Sequence, residues 1–101
     1  MPATPQPRAA SPLGLIWFEL QDYQKARSLM KDGELFPPSY EVWRETARVA
    51  QVILERQGVA VRPVRLEPNA FLAFCEQEGL EPDADARNDY ANRHALRNAL
   101  P

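Results

Sequence analysis

Cysteine and histidine are almost missing from this chain: its 101 residues hold one of each, Cys75 and His94. A lone cysteine excludes an intrachain disulfide framework and a thiolate zinc cluster, and it suits a reducing compartment. Glycine is also sparse. Its four copies are isolated at segment ends, so no Gly-rich phosphate loop is present. No apolar run approaches the roughly 20 residues that a membrane span requires. The run Leu13 to Phe18 stops at Glu19, and with only Arg8 before it and no convincing cleavage site it makes a poor signal peptide. The expected compartment is therefore the cytoplasm. An excess of positive charge is lacking too: the net charge is -2. Nucleic-acid binding draws most of its affinity from basic side chains on phosphate, so that role is disfavoured, although a local basic patch stays open. The G-x-S-x-G, H-E-x-x-H and kinase motifs are absent. Nothing in the sequence supports an enzyme, a cofactor or a metal.

Proline is present in quantity, and Pro2, Pro5, Pro7 and Pro12 crowd the first dozen residues. Proline fixes φ and removes a donor, so residues 1–12 are expected to form a disordered tail. Residues 13–98 are expected to form a single small domain. About 85 residues make a marginal core, and domains of this size often gain stability by self-association.

Helical periodicity dominates after Asp22. Asp22 is placed to cap a helix from Tyr23 to about Lys31 whose apolar positions are Tyr23, Ala26, Leu29 and Met30. Ser39 opens the strongest helix, Tyr40 to Gln57. Trp43, Ala47, Ala50 and Leu54 form its stripe; Tyr40, Thr46, Val49 and Ile53 widen it, and Gly58 ends it. Pro68 suits the first position of a third helix, which runs to Glu78 and stops at Gly79 with Leu80 closing a Schellman motif. Asp83 caps the last helix. Its face of Ala86, Tyr90, Ala91, His94 and Ala95 is thin, so it should pack late or fray toward Pro101, and Asp83–Arg87 and Asp89–Arg93 are candidate i,i+4 ion pairs.

One segment, Val59 to Leu66, has the composition of a β-strand. A lone strand leaves backbone groups unpaired. Its partner is expected to be the run Leu13 to Leu20, itself ambiguous between strand and helix, or the same strand of a second copy. Regular alternation would mix an arginine into each face. A bulge at Arg62-Pro63 would place Val59, Val61, Val64 and Leu66 on one face and Arg62 and Arg65 on the other. Pro63 limits pairing to one side. The expected fold is α+β: three to four helices and a minimal two-stranded sheet, possibly completed across a dimer, with Trp43 and Ile53 pressed on the valines.

Candidate interface residues are Trp17, Phe18, Val59, Val61 and Val64, since aromatic side chains are enriched at binding hot spots. A candidate basic patch comprises Arg62, Arg65, Arg93 and Arg97, beside Arg87. Cys75 and His94 form the lone nucleophile–base combination, and burial of Cys75 in the core competes with that reading. Asp83, Asp85 and Asp89 are better explained by capping and the helix dipole than as cation ligands.

The run Tyr40-Glu41-Val42-Trp43, Gly58 to Pro68, Phe71-Leu72-Ala73-Phe74-Cys75, Gly79-Leu80, Asp83 and Ala86-Arg87 with Tyr90-Ala91 resembles a group of small bacterial proteins of unknown function. The likeness spans roughly residues 22 to 95 and implies no activity, ligand or catalytic residue. The function expected from these features is a cytoplasmic protein-interaction module that self-associates as a homodimer. A nucleic-acid-associated regulatory protein is the alternative, and a small Cys/His enzyme ranks last.

Overall fold

The computed structural model describes residues 12–99, and side chains as far as Leu96. The expected Pro-rich tail, residues 1–12, lies outside the described residues apart from Pro12. In chain order the elements are β1 (Leu13–Trp17), α1 (Leu20–Leu29), a short 3-10 turn (Gly33–Leu35), α2 (Tyr40–Arg56), β2 (Val61–Arg65), α3 (Pro68–Glu78) and α4 (Ala84–Ala99). The fold is α+β, with four helices and one two-stranded sheet among the described residues. The ambiguous N-terminal run is a strand, and it is the partner that β2 requires. The two strands are parallel, with α1 and α2 forming the crossover between them.

The ladder is unbroken: Leu13 pairs with Val61, Gly14 with Arg62, Leu15 with Pro63, Ile16 with Val64 and Trp17 with Arg65. The expected bulge at Arg62-Pro63 does not form, and the strand is shorter than Val59 to Leu66. The reason lies in the direction of the backbone groups. The Leu13 N–H donates to the Ala60 carbonyl, and the Leu66 N–H donates to the Trp17 carbonyl. The two-residue repeat of the strand then turns the even-numbered N–H groups of β2 toward β1, and position 63 away from it. Pro63 therefore sacrifices no ladder bond. One-sided pairing through Pro63 holds. Arg62 and Arg65 fall on opposite faces, and Val59 belongs to the end of α2, its N–H donating to the Leu54 carbonyl.

One face of the sheet carries Gly14, Ile16, Val64 and, just past the strand ends, Phe18 and Leu66. Phe18, Val64 and Leu66 are buried in the core with Tyr23, Ala26, Met30, Phe71 and Cys75. The cover on this face is α4, not α2 as expected. Ala86, Tyr90, Ala91 and Ala95 are all buried, so this thin face is part of the core. Small side chains are what let the helix come close: a Cβ on Gly14 would stand 2.2 Å from the Ala91 carbonyl oxygen. The Asn92 side chain accepts a 2.9 Å hydrogen bond from the Gly14 N–H, on the edge of β1 turned away from β2.

Local signals set most helix ends. Ser39 Oγ accepts from the N–H groups of Glu41 and Val42 at the start of α2, and Glu67 caps α3 through Asn69 and Ala70. Gly58 and Gly79, at φ +86° and +68°, take the left-handed position that ends α2 and α3. After each, the next residue's N–H reaches back to the last turn, Val59 to Leu54 and Leu80 to Cys75. The start of α1 departs from expectation. It begins at Leu20 with Glu19 at the N-cap. Asp22 lies inside the first turn, buried, and its carboxylate binds the Arg65 guanidinium at 2.9–3.0 Å instead of capping. Arg87 also departs from the expected pair with Asp83. It makes a bidentate bridge to Asp32 at 2.7 and 2.8 Å and lies 4.9 Å over the Phe36 ring, tying α4 to the turn after α1. Asp83 Oδ1 accepts from the Ala86 N–H, as expected of the N-cap of α4.

Candidate interaction surface

The helix with the clearest amphipathic pattern is the least buried. Among the 17 residues of α2 none is fully buried. Its inward row, Trp43, Ala47, Ala50 and Leu54, is half-buried. Trp43 holds the N-terminal half in place: its ring lies 5.1 Å from Trp17, 4.9 Å from Phe18, and 5.7 Å from both Tyr23 and Tyr40. The Tyr40 hydroxyl donates to the Phe18 carbonyl at 2.9 Å, and the Tyr23 hydroxyl donates to the Pro37 carbonyl. Beyond Trp43, Thr46, Ala47 and Ala50 line a groove with Gly14, Ile16, Phe18 and Arg87, while Leu13, Leu15, Trp17, Val61 and Pro63 on the second sheet face are exposed or half-buried.

A second apolar row points away from the body. Val42, Val49, Val52 and Ile53 are 54%, 48%, 41% and 50% exposed. Ile53, expected to press on the valines of β2, is part of this outward row. With Glu45, Arg48 and Arg56, three of them line an open groove of about 210 Å³ along the outer flank of α2. A large exposed aliphatic is ordinary when single; a contiguous set rimmed by charge marks a contact surface. Val42 and Val52 were missed as surface residues. The signal that finds them is a second run of three-and-four spacings, offset from the Trp43 row.

The expected interface residues fall on both sides of the surface. Phe18, at 1% exposure, and Val64, at 5%, are core residues, so they are unavailable to a partner. Trp17, Val59 and Val61 are half-buried along the open sheet face and the end of α2. Within the expected basic patch, two arginines are already engaged by carboxylates. Arg65 is held by Asp22, and Arg93 by Asp89 at 2.9 Å and Glu78 at 3.3 Å. Arg62 is exposed, while the side chain of Arg97 lies outside the described residues. Cys75 is buried beside Phe71, and burial pushes its thiol up from the ordinary range, assisted by the charge of Asp83. His94 Nδ1 lies 2.8 Å from the Tyr90 carbonyl oxygen, and its ring rests on the Tyr90 ring at 4.1 Å. Among the described residues no three His, Cys, Asp or Glu side chains come together as a cation site, and no helix is long and apolar enough to cross a membrane.

Comparison with protein-family models, with curated proteins and with solved structures gives no match.

Proposed function

We propose that the chain is a small protein-interaction module that self-associates, and that the outer face of α2 is its docking surface. One observation carries this reading: a long amphipathic helix with no buried residue that displays Val42, Val49, Val52 and Ile53 to solvent. Isolated helices of this length are marginal in water, and most helical stability in proteins comes from burying an apolar face. Here only the Trp43 row supplies that, and only in part. The module is assigned to the cytoplasm, where a single unpaired thiol stays reduced.

No catalytic role is proposed. Cys75 is a core side chain with a raised thiol, whereas a reactive cysteine is partly exposed with a lowered one. The basic side chains expected to serve a nucleic-acid role give it little support, because Arg65 and Arg93 are each paired with carboxylates and the net charge is -2. The test is light scattering coupled to size-exclusion chromatography over a broad concentration range. The expected mass at high concentration is a multiple of 11.5 kDa. A monomer throughout would overturn self-association.

A further inference from the structure

The outward row of α2 is a repeat with a direction. Val42, Glu45, Val49, Val52 and Arg56 are spaced by three, four, three and four residues, the a and d positions of a coiled-coil seam. At 3.6 residues per turn this row lies roughly four-tenths of a turn round the helix from the Trp43 row, so it can be covered without disturbing the body. The seam is acidic toward its N-terminal end, at Glu45, and basic at its C-terminal end, at Arg56, with Val49 and Val52 between. A copy of the same helix laid antiparallel reverses that order. Val49 then faces Val52 of the second copy, and Glu45 faces Arg56 of the second copy at both ends. Along one flank, Arg48 comes beside Glu55 of the second copy. Each cross-helix charge contact is then between opposite signs. A parallel arrangement would stack Glu45 on Glu45 and Arg56 on Arg56.

The charges are free for this use. Among the described residues Glu45, Arg48 and Arg56 have no ion-pair partner within the chain, and Glu55 accepts only a 3.2 Å bond from Gln51 one turn earlier. By contrast Arg65, Arg87 and Arg93 on the body are all paired. We infer that the occupant of the outer face of α2 is a second copy of this chain, its α2 packed antiparallel in a two-fold dimer. The inference rests on the self-association reading and adds its surface, direction and charge code. A two-fold contact uses the same patch on both chains and closes at two.

Charge reversal tests it. Glu45→Arg and Arg56→Glu each turn two attractive contacts into repulsive ones, and each is expected to weaken the homodimer about tenfold or more. Mixing the two variants restores attraction at both ends and should give a heterodimer, and the double variant should recover the wild-type affinity. Glu45→Cys mixed with Arg56→Cys should form an interchain disulfide under mild oxidation, whereas neither alone should, because equal positions lie far apart in the antiparallel pair. Self-association that ignores the reversals and gives no mixed cross-link would overturn the inference and leave the interaction-module reading standing. A foreign helix bound to this face while the chain stays monomeric would also overturn it. A wild-type monomer at every concentration would overturn both.

Discussion

Gly14 shows how one residue sets the distance between two elements. The page of sequence around it is an apolar strand, and nothing local requires glycine there. The requirement comes from the far end of the chain, where the backbone of Ala91 and Asn92 lies against the strand. A methyl at position 14 would meet the Ala91 carbonyl oxygen at 2.2 Å and the Asn92 N–H nitrogen at 2.9 Å, both backbone atoms that side-chain rotation cannot move. Gly14→Ala is therefore expected to lose about 1–3 kcal/mol of stability, read as a lower urea midpoint. An unchanged midpoint would mean that α4 shifts freely on the sheet. The glycines at positions 58 and 79 are the opposite case. Their role follows from local helix-ending geometry, so the sequence shows it directly. Cys75 was legible as well, because it falls on the apolar side of a short helix with Phe71.

At the scale of elements, the boundaries that carry capping side chains or helix-ending glycines are readable in sequence, and long-range assignments are less so. Ser39, Pro68 and Asp83 mark where helices start because each acts within its own first turn. Asp22 looks like another such cap, but its partner is Arg65, remote in sequence, and a non-local ion pair overrides the local signal. The weight of α4 was hidden for a similar reason: alanines look like a thin face until a glycine strand lies beneath them. Asp32 and Arg87 fasten that helix to the turn after α1. The hydrogen bonds from the Arg87 guanidinium, aided by its charge, hold the Asp32 carboxyl below its ordinary range. A depressed carboxyl stabilises the fold above its unfolded value, and that contribution is lost as pH falls through the folded one. Asp32→Asn is thus expected to cost about 1–2 kcal/mol at neutral pH. The gap from wild type should close on acidification below about pH 4. Urea unfolding at pH 7 and pH 3 checks this, and an equal gap at both would separate Asp32 from the charge effect.

For the whole molecule, the fold class and strand partner are open to sequence reasoning, and the proposed contact surface is only half so. Aromatic and β-branched residues drew attention to the strands, yet Phe18 and Val64 are spent inside the body. Val49 and Ile53 read as one band with the inward row of α2, because one broad apolar band and two separate stripes look alike until the body shows which side it covers. If α2 joins two chains, folding and association are linked, and the thermal midpoint should rise with protein concentration. Val49→Lys with Val52→Lys should remove that dependence while leaving the near-ultraviolet signal of the tryptophans, which sit on the other side of the helix. A concentration-independent midpoint in the wild type would place the dimer below relevance for stability.

The edges of the sheet bear on how far assembly can go. A third strand approaching β2 would find no donor at the middle of the edge, where Pro63 stands, and one approaching β1 would find the Gly14 donor already taken by Asn92. Growth by stacking strands is therefore obstructed from both directions, so crowding this protein favours discrete particles over fibres.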